Sequence, residues 1–202
     1  MQFLHSRVKI LFLIVLFLIP LFIFAFDKDV MLFIKHFQKN HMNLNQFFEE
    51  LDMIMDFVYK AAIIVISLFA IYSLFKKKEV GKSLSMGIIA VSIVIQIKHL
   101  IGRARPRLGF DTFFAGPSLN YLYSSFPSGH TTFAFMLATV FSHYYPKYRY
   151  LFYAFAIWVG FERVEDFAHF PSDVLAGAVL GAIIGRFVIF KLLPKTDQNR
   201  SI

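Results

Sequence analysis

Apolar residues gather into six runs along the chain, Ile10–Phe26, Ala61–Phe75, Leu84–Ile97, His130–Tyr145, Tyr150–Phe161 and Val174–Leu193, and the charged residues collect between them. Each run predicts a membrane-crossing helix, although several need flanking residues to cover about 30 Å of hydrocarbon. Tyr150–Phe161 is the shortest; without it the chain ends would lie on opposite sides and the charge pattern would break. The first connection differs. Its stretch VMLFIKHFQKNHMNLNQFFEELDMIMDF mixes apolar and charged residues at helical spacing, which suits an outer interfacial helical segment over about residues 30–56, lying on the membrane or packed against the bundle. The sequence has no internal repeat, low-complexity tract or Gly/Ser-rich linker. The pattern therefore predicts one membrane-embedded domain over residues 1–202, all-α, built as a six-span transmembrane helical bundle.

Composition agrees. Of 202 residues, 57% are hydrophobic, 27 are Phe and 17% are charged, too apolar for a soluble domain of this size. A formal charge of +8 could suggest a nucleic-acid partner, but the basic residues sit at the ends of apolar runs, so no nucleic acid is expected. Arg7 and Lys9, then Lys76, Lys77, Lys78 and Lys82, then Lys147 and Arg149, then Lys191, Lys195 and Arg200 fall on one side of a six-span chain. The positive-inside rule makes that side cytoplasmic, with both termini on it. The first connection sets Lys28, Lys35 and Lys39 against Asp27, Asp29, Glu49, Glu50, Asp52 and Asp56, as an outer segment would. The opening MQFLHSRVKILFLIVLFLIPLFIFAF imitates a secretory signal, but its apolar run is too long and no small-residue cleavage site follows, so a retained anchor is expected. The lack of cysteine removes disulfides, zinc–thiolate sites and thiol nucleophiles.

The third connection, KHLIGRARPRLGF, is expected outside and breaks the charge rule, with Lys98, Arg103, Arg105 and Arg107 against Asp111. Lys98 and Arg105 stand two helical turns apart, so a helix continuing from the third run would project both from one face until Pro106 ends it. Such a pair serves either as interfacial anchors or as an anion site. In SFPSGHTTFAF, Pro127 suits the first turn of a helix. Ser128, Gly129 and His130 then bring a hydroxyl, unpaired N–H groups and an imidazole to its positive end, an anion cradle. The fifth connection, FERVEDFAHFPSDVLAG, adds Arg163, His169 and Asp173 on the same side. His169 and Asp173, four apart around Pro171, allow the carboxylate to take an imidazole N–H and fix its tautomer. An oriented imidazole, a second histidine and nearby cations form the set that covalent catalysis requires.

The order and spacing of these segments over residues 98–173 resemble the type 2 phosphatidic acid phosphatase family, integral membrane lipid phosphatases that share an active-site plan with vanadium haloperoxidases. Lysine, six residues and Arg-Pro is matched from Lys98 to Arg105 and Pro106, and Pro-Ser-Gly-His at Pro127 to His130. Ser-Arg, five residues, His, three residues and Asp is matched at Arg163, His169 and Asp173, with Glu162 in the serine's place. The resemblance implies a haloperoxidase-like phosphatase core that hydrolyses a lipid phosphate monoester or diphosphate at the outer, periplasmic face of a bacterial-type inner membrane. It implies His169 as the nucleophile of a phosphohistidine intermediate, Asp173 as its support and His130 as the acid for the leaving oxygen. Lys98, Arg105, Arg163, Ser128 and the Gly129 N–H would hold the phosphate oxygens. Undecaprenyl diphosphate, phosphatidylglycerophosphate, phosphatidic acid and a lipid A phosphate all present the reacting group. No carboxylates show metal-ligand spacing and the cations take the part magnesium plays elsewhere, so no metal and no cofactor is expected. Glu162, which bound phosphate would repel, is expected to turn toward an arginine or toward water. A lipid-phosphate-binding membrane protein without activity and a vanadate-dependent haloperoxidase are the alternatives; phosphate release from lipid, without peroxide and halide, separates them.

Overall fold

The computed structural model describes residue 18, residues 25–76 and residues 79–192. Its helices are α1 (Asp27–Asn40), α2 (Met42–Phe75), α3 (Glu79–Ile95), α4 (Ile97–Ile101), α5 (Gly129–Tyr144), α6 (Arg149–Glu165) and α7 (Pro171–Leu192). The only β pairing among the described residues is an isolated bridge between Arg103 and Phe114. Three helical stretches are long and apolar enough to cross a membrane: Gln46–Ser73, Glu79–Ile101 and Pro171–Lys191. The runs at 130–145 and 150–161 become α5 and α6, helices of 16 and 17 residues, or about 24 and 26 Å at 1.5 Å per residue. The first apolar run lies outside the described residues except at positions 18, 25 and 26. Six spans are thus the expectation and three the number that length and composition support among the described residues.

The segment at 30–56 divides at His41, where α1 ends and α2 begins. Met31 of α1 is fully buried while Phe33 is 68% exposed, so α1 packs one side on the bundle and leaves apolar surface on the other. Helix α2 runs 34 residues, about 51 Å, well beyond a hydrocarbon layer. Its charged first half therefore extends past the part that a bilayer could cover.

Helices α5 and α7 pack most intimately, because α7 presents Gly177, Gly181 and Gly185 to α5 one turn apart. A Cβ on Gly181 would lie 2.2 Å from the Thr132 carbonyl oxygen, and one on Gly177 would lie 2.6 Å from the Ser128 carbonyl oxygen. Side chains of Val80, Leu84 and Val91 from α3 join Met136 and Val140 of α5 and Val188 of α7 in the buried core. At one end of this bundle the three connections expected outside converge. Lys28 pairs with Asp111, Arg107 with Asp166, and Gln38 of α1 donates to Glu165 at the end of α6.

The expected continuation of the third run to Arg105 requires correction. Helix α4 stops at Ile101, because Gly102 adopts a left-handed conformation with φ +65°. A Cβ there would also fall 1.7 Å from the Gly116 carbonyl oxygen, so the chain turns under the 110s loop. Arg105 is consequently held in extended backbone rather than on a helical face, its N–H donating to Leu122 O at 2.9 Å.

Candidate active site

The contact between α5 and α7 brings two helix starts together. Ser128 is the N-cap of α5, so Pro127 lies two residues before the first helical residue, Gly129, rather than in the first turn as expected. The Ser128 N–H donates to the Asp173 carbonyl at 3.1 Å, tying the first turn of α7 to the cap of α5. That N–H is therefore committed. The Ser128 hydroxyl pairs with the Thr131 hydroxyl at 2.9 Å instead of capping the helix. The Gly129 N–H keeps no intramolecular acceptor among the described residues, the ordinary state of a donor in a first helical turn.

His169 lies in the short link between α6 and α7, 2% exposed, its N–H held by the Arg163 carbonyl at 3.0 Å. Its Nδ1 faces Asp173 Oδ2 at 3.8 Å, longer than a hydrogen bond. The Ser125 hydroxyl stands beside both groups, donating to Asp173 Oδ2 at 2.6 Å and lying 3.5 Å from His169 Nδ1. Asp173 is fully buried and also accepts the Phe170 N–H at 2.8 Å and Arg103 Nη1 at 2.6 Å. The carboxylate is thus fixed from several directions and turned toward the imidazole. Burial holds the His169 imidazole below its ordinary proton affinity, against the pull of Asp173.

His130 occupies the first turn of α5, its ring 4.7 Å from that of Tyr59 on α2. Arg163, His169, Lys98 and Arg105 all lie near enough to act on it electrostatically. Lys98 is half-buried on α4; its carbonyl accepts the Gly102 N–H, while its ammonium has no hydrogen-bond or ion-pair partner among the described residues. Arg105, 3% exposed, stacks its guanidinium 3.8 Å from the Tyr121 ring centre and donates to the carbonyls of Tyr121, Ala168 and Ser124. Those three bonds leave two of its five N–H groups uncommitted. Arg163 is paired with Glu162, whose carboxylate accepts its Nε at 2.7 Å, so the residue standing in for serine faces an arginine.

Residues 98–173 therefore bring the two histidines, the carboxylate and the three cations to one end of the bundle. Four further residues belong here that spacing did not single out: Ser125, Arg103, Asp27 and Tyr59. Only Arg103 carried a signal, as one of the excess positive charges in the third connection. Tyr59, whose ring meets that of His130, also lines an apolar cavity of about 380 Å³ between α2, α5 and α6, with Ile63, Phe133, Leu137 and Phe152 among others.

A lipid A 1-phosphatase of Rhizobium johnstonii is 45% identical over 89 residues, which cover 43% of this chain and 36% of that protein. A lipid A 1-phosphatase of Porphyromonas gingivalis is 34% identical over 113 residues, 54% of this chain and 22% of that protein. The chain thus spans little more than a third of the first relative's length and less of the second's. Among solved structures, LpxE of Aquifex aeolicus superposes with a TM-score of 0.62 at 25% identity, covering 82% of this chain and 96% of that one. The sequence profile of the PAP2 superfamily matches residues 80–196, more than half of the protein and every motif residue named above, and the chain belongs to that superfamily.

Proposed function

We propose that this protein hydrolyses a phosphate monoester or diphosphate on a membrane lipid, at the outer face of a bacterial-type inner membrane, through a phosphohistidine. The observation that carries the reading is the meeting of a buried, carboxylate-supported His169 with His130 amid Lys98, Arg105 and Arg163. In the first step the His169 nitrogen attacks phosphorus, the bond to the lipid oxygen breaks, and His130 gives that oxygen a proton. In the second, water attacks the phosphohistidine, His130 takes the water's proton, and the P–N bond breaks to release phosphate. Lys98, the free N–H groups of Arg105, the Gly129 N–H, Ser128 and Arg163 hold the nonbridging oxygens as charge shifts among them. These cations act in place of a metal, so turnover persists in excess chelator.

The apolar cavity beginning at Tyr59, directly beside His130, supports a substrate with a hydrocarbon tail. Of the four candidate lipids, a lipid A phosphate is favoured by the two relatives named lipid A 1-phosphatase. The test is phosphate release by purified protein in detergent from lipid A, undecaprenyl diphosphate, phosphatidylglycerophosphate and phosphatidic acid, with and without chelator, beside His169→Ala. Release from lipid A that His169→Ala abolishes is the expected result. Wild-type release by that variant would overturn the nucleophile.

A further inference from the structure

Behind Asp173, on the side away from His169, three charged side chains from distant parts of the chain meet out of contact with solvent. Arg103 and Asp27 are both at 0% exposure, as is Asp173 itself. The Arg103 guanidinium forks between two carboxylates, Nη1 to Asp173 Oδ1 at 2.6 Å and Nη2 to Asp27 Oδ2 at 2.7 Å. Ser172 locks the assembly: its hydroxyl accepts Arg103 Nη1 at 2.7 Å and donates to Asp27 Oδ2, while its N–H donates to Asp27 Oδ1 at 3.0 Å. The guanidinium also lies 4.2 Å from the ring centre of Phe170, the residue next to His169. We infer that Asp27 and Arg103 are positioning residues for catalysis, a buried relay from the start of α1 that sets the Asp173 carboxylate and, through it, the His169 imidazole.

Charge explains why two carboxylates are present. Arg103 with Asp173 alone would be a neutral pair, and a carboxylate so neutralised offers little to a neighbouring imidazole. Sharing one guanidinium between Asp27 and Asp173 leaves a net charge of −1 on the trio, and Asp173 is the member that faces His169. The planar fork holds two donors in fixed directions, one toward each carboxylate, which an ammonium cannot do. The relay also accounts for the burial of an aspartate at the first residue of α1, where an exposed acid would serve the helix equally well.

This inference rests on the reading of His169 as the nucleophile, and the experiment separates the two. Asp27→Asn, Ser172→Ala and Arg103→Lys are compared with His169→Ala in phosphate release from lipid A, with folding checked by thermal unfolding in detergent. The relay requires Asp27→Asn and Arg103→Lys to lower kcat at least about tenfold, and Ser172→Ala by a smaller factor, with KM within about twofold of wild type. In protein labelled with 15N-histidine, the His169 ring signals should shift in Asp27→Asn, a readout that scaffold loosening elsewhere would not produce. Should Asp27→Asn not fold, Ser172→Ala decides: a lowered kcat at unchanged KM supports the relay. Wild-type kcat in Asp27→Asn and Ser172→Ala, or a change confined to KM, overturns the relay while an inactive His169→Ala keeps the nucleophile. A turning-over His169→Ala overturns the nucleophile itself.

Discussion

His169, as the proposed nucleophile, must be unprotonated, and its surroundings favour that state. Burial disfavours the imidazolium and Arg105 adds to the effect, while Asp173 and Ser125 oppose it, with a net lowering. The acid limb of kcat/KM should therefore fall below about pH 6.5, the ordinary imidazole value, and Asp173→Asn should move it lower by removing the carboxylate that favours the proton. A pH–rate profile of the two proteins checks this; an acid limb above pH 6.5 contradicts it. A second residue-scale prediction concerns Glu162. Its carboxylate is buried against Arg163, so it orients the guanidinium without needing to face phosphate. Glu162→Ser should keep activity within about tenfold of wild type, about 1.4 kcal/mol in barrier. Arg163→Ala, losing a cation from the site, should fall about 10²- to 10³-fold. Steady-state rates of both decide, and a Glu162→Ser variant as inactive as His169→Ala would give the glutamate a direct role in the chemistry.

Between elements, the seam of α5 and α7 carries the geometry of the site, since one helix starts at Gly129, capped by Ser128, and the other at Pro171. Gly181→Ala would push a methyl into the Thr132 carbonyl, backbone that cannot rotate aside, and should destabilise the protein by about 1–3 kcal/mol or more. Ile183→Val, on the exposed side of the same helix, should be nearly neutral. Thermal unfolding in detergent compares them, and equal stabilities would remove the seam from the account. The positions of the helices were legible as apolar runs because lipid-facing and core-facing residues are both hydrophobic. The start of α2 was not, since Glu49, Glu50, Asp52 and Asp56 read as a connection although they continue the same helix. The end of α4 was misplaced because Pro106 is the stronger sequence stop, whereas Gly102 is the residue that turns the chain. Motif spacing pointed to the histidines and the three cations that the fold gathers at one end of the bundle. It could not deliver Asp27 or Ser125, whose partners lie 76 and 48 residues away and leave no local pattern.

For the molecule as a whole, the sequence makes orientation in the membrane simple to read. With no native cysteine, single substitutions report without background. Asp111→Cys, on the loop that meets α1, should react with a membrane-impermeant thiol reagent in intact spheroplasts, and Lys147→Cys only after lysis. The reverse pattern would move the reaction to the cytoplasmic face. The bond from the Ser128 N–H to the Asp173 carbonyl has a further consequence, in the order of synthesis. Asp27, Arg103 and Ser128 leave the ribosome before His169 and Asp173, and at 5–20 residues per second the wait between the two helix starts lasts a few seconds. Through that interval the growing chain lacks His169, the proposed nucleophile. The proposed site is assembled only when α7 has docked on α5, so a chain stalled on the ribosome before that point carries no complete site.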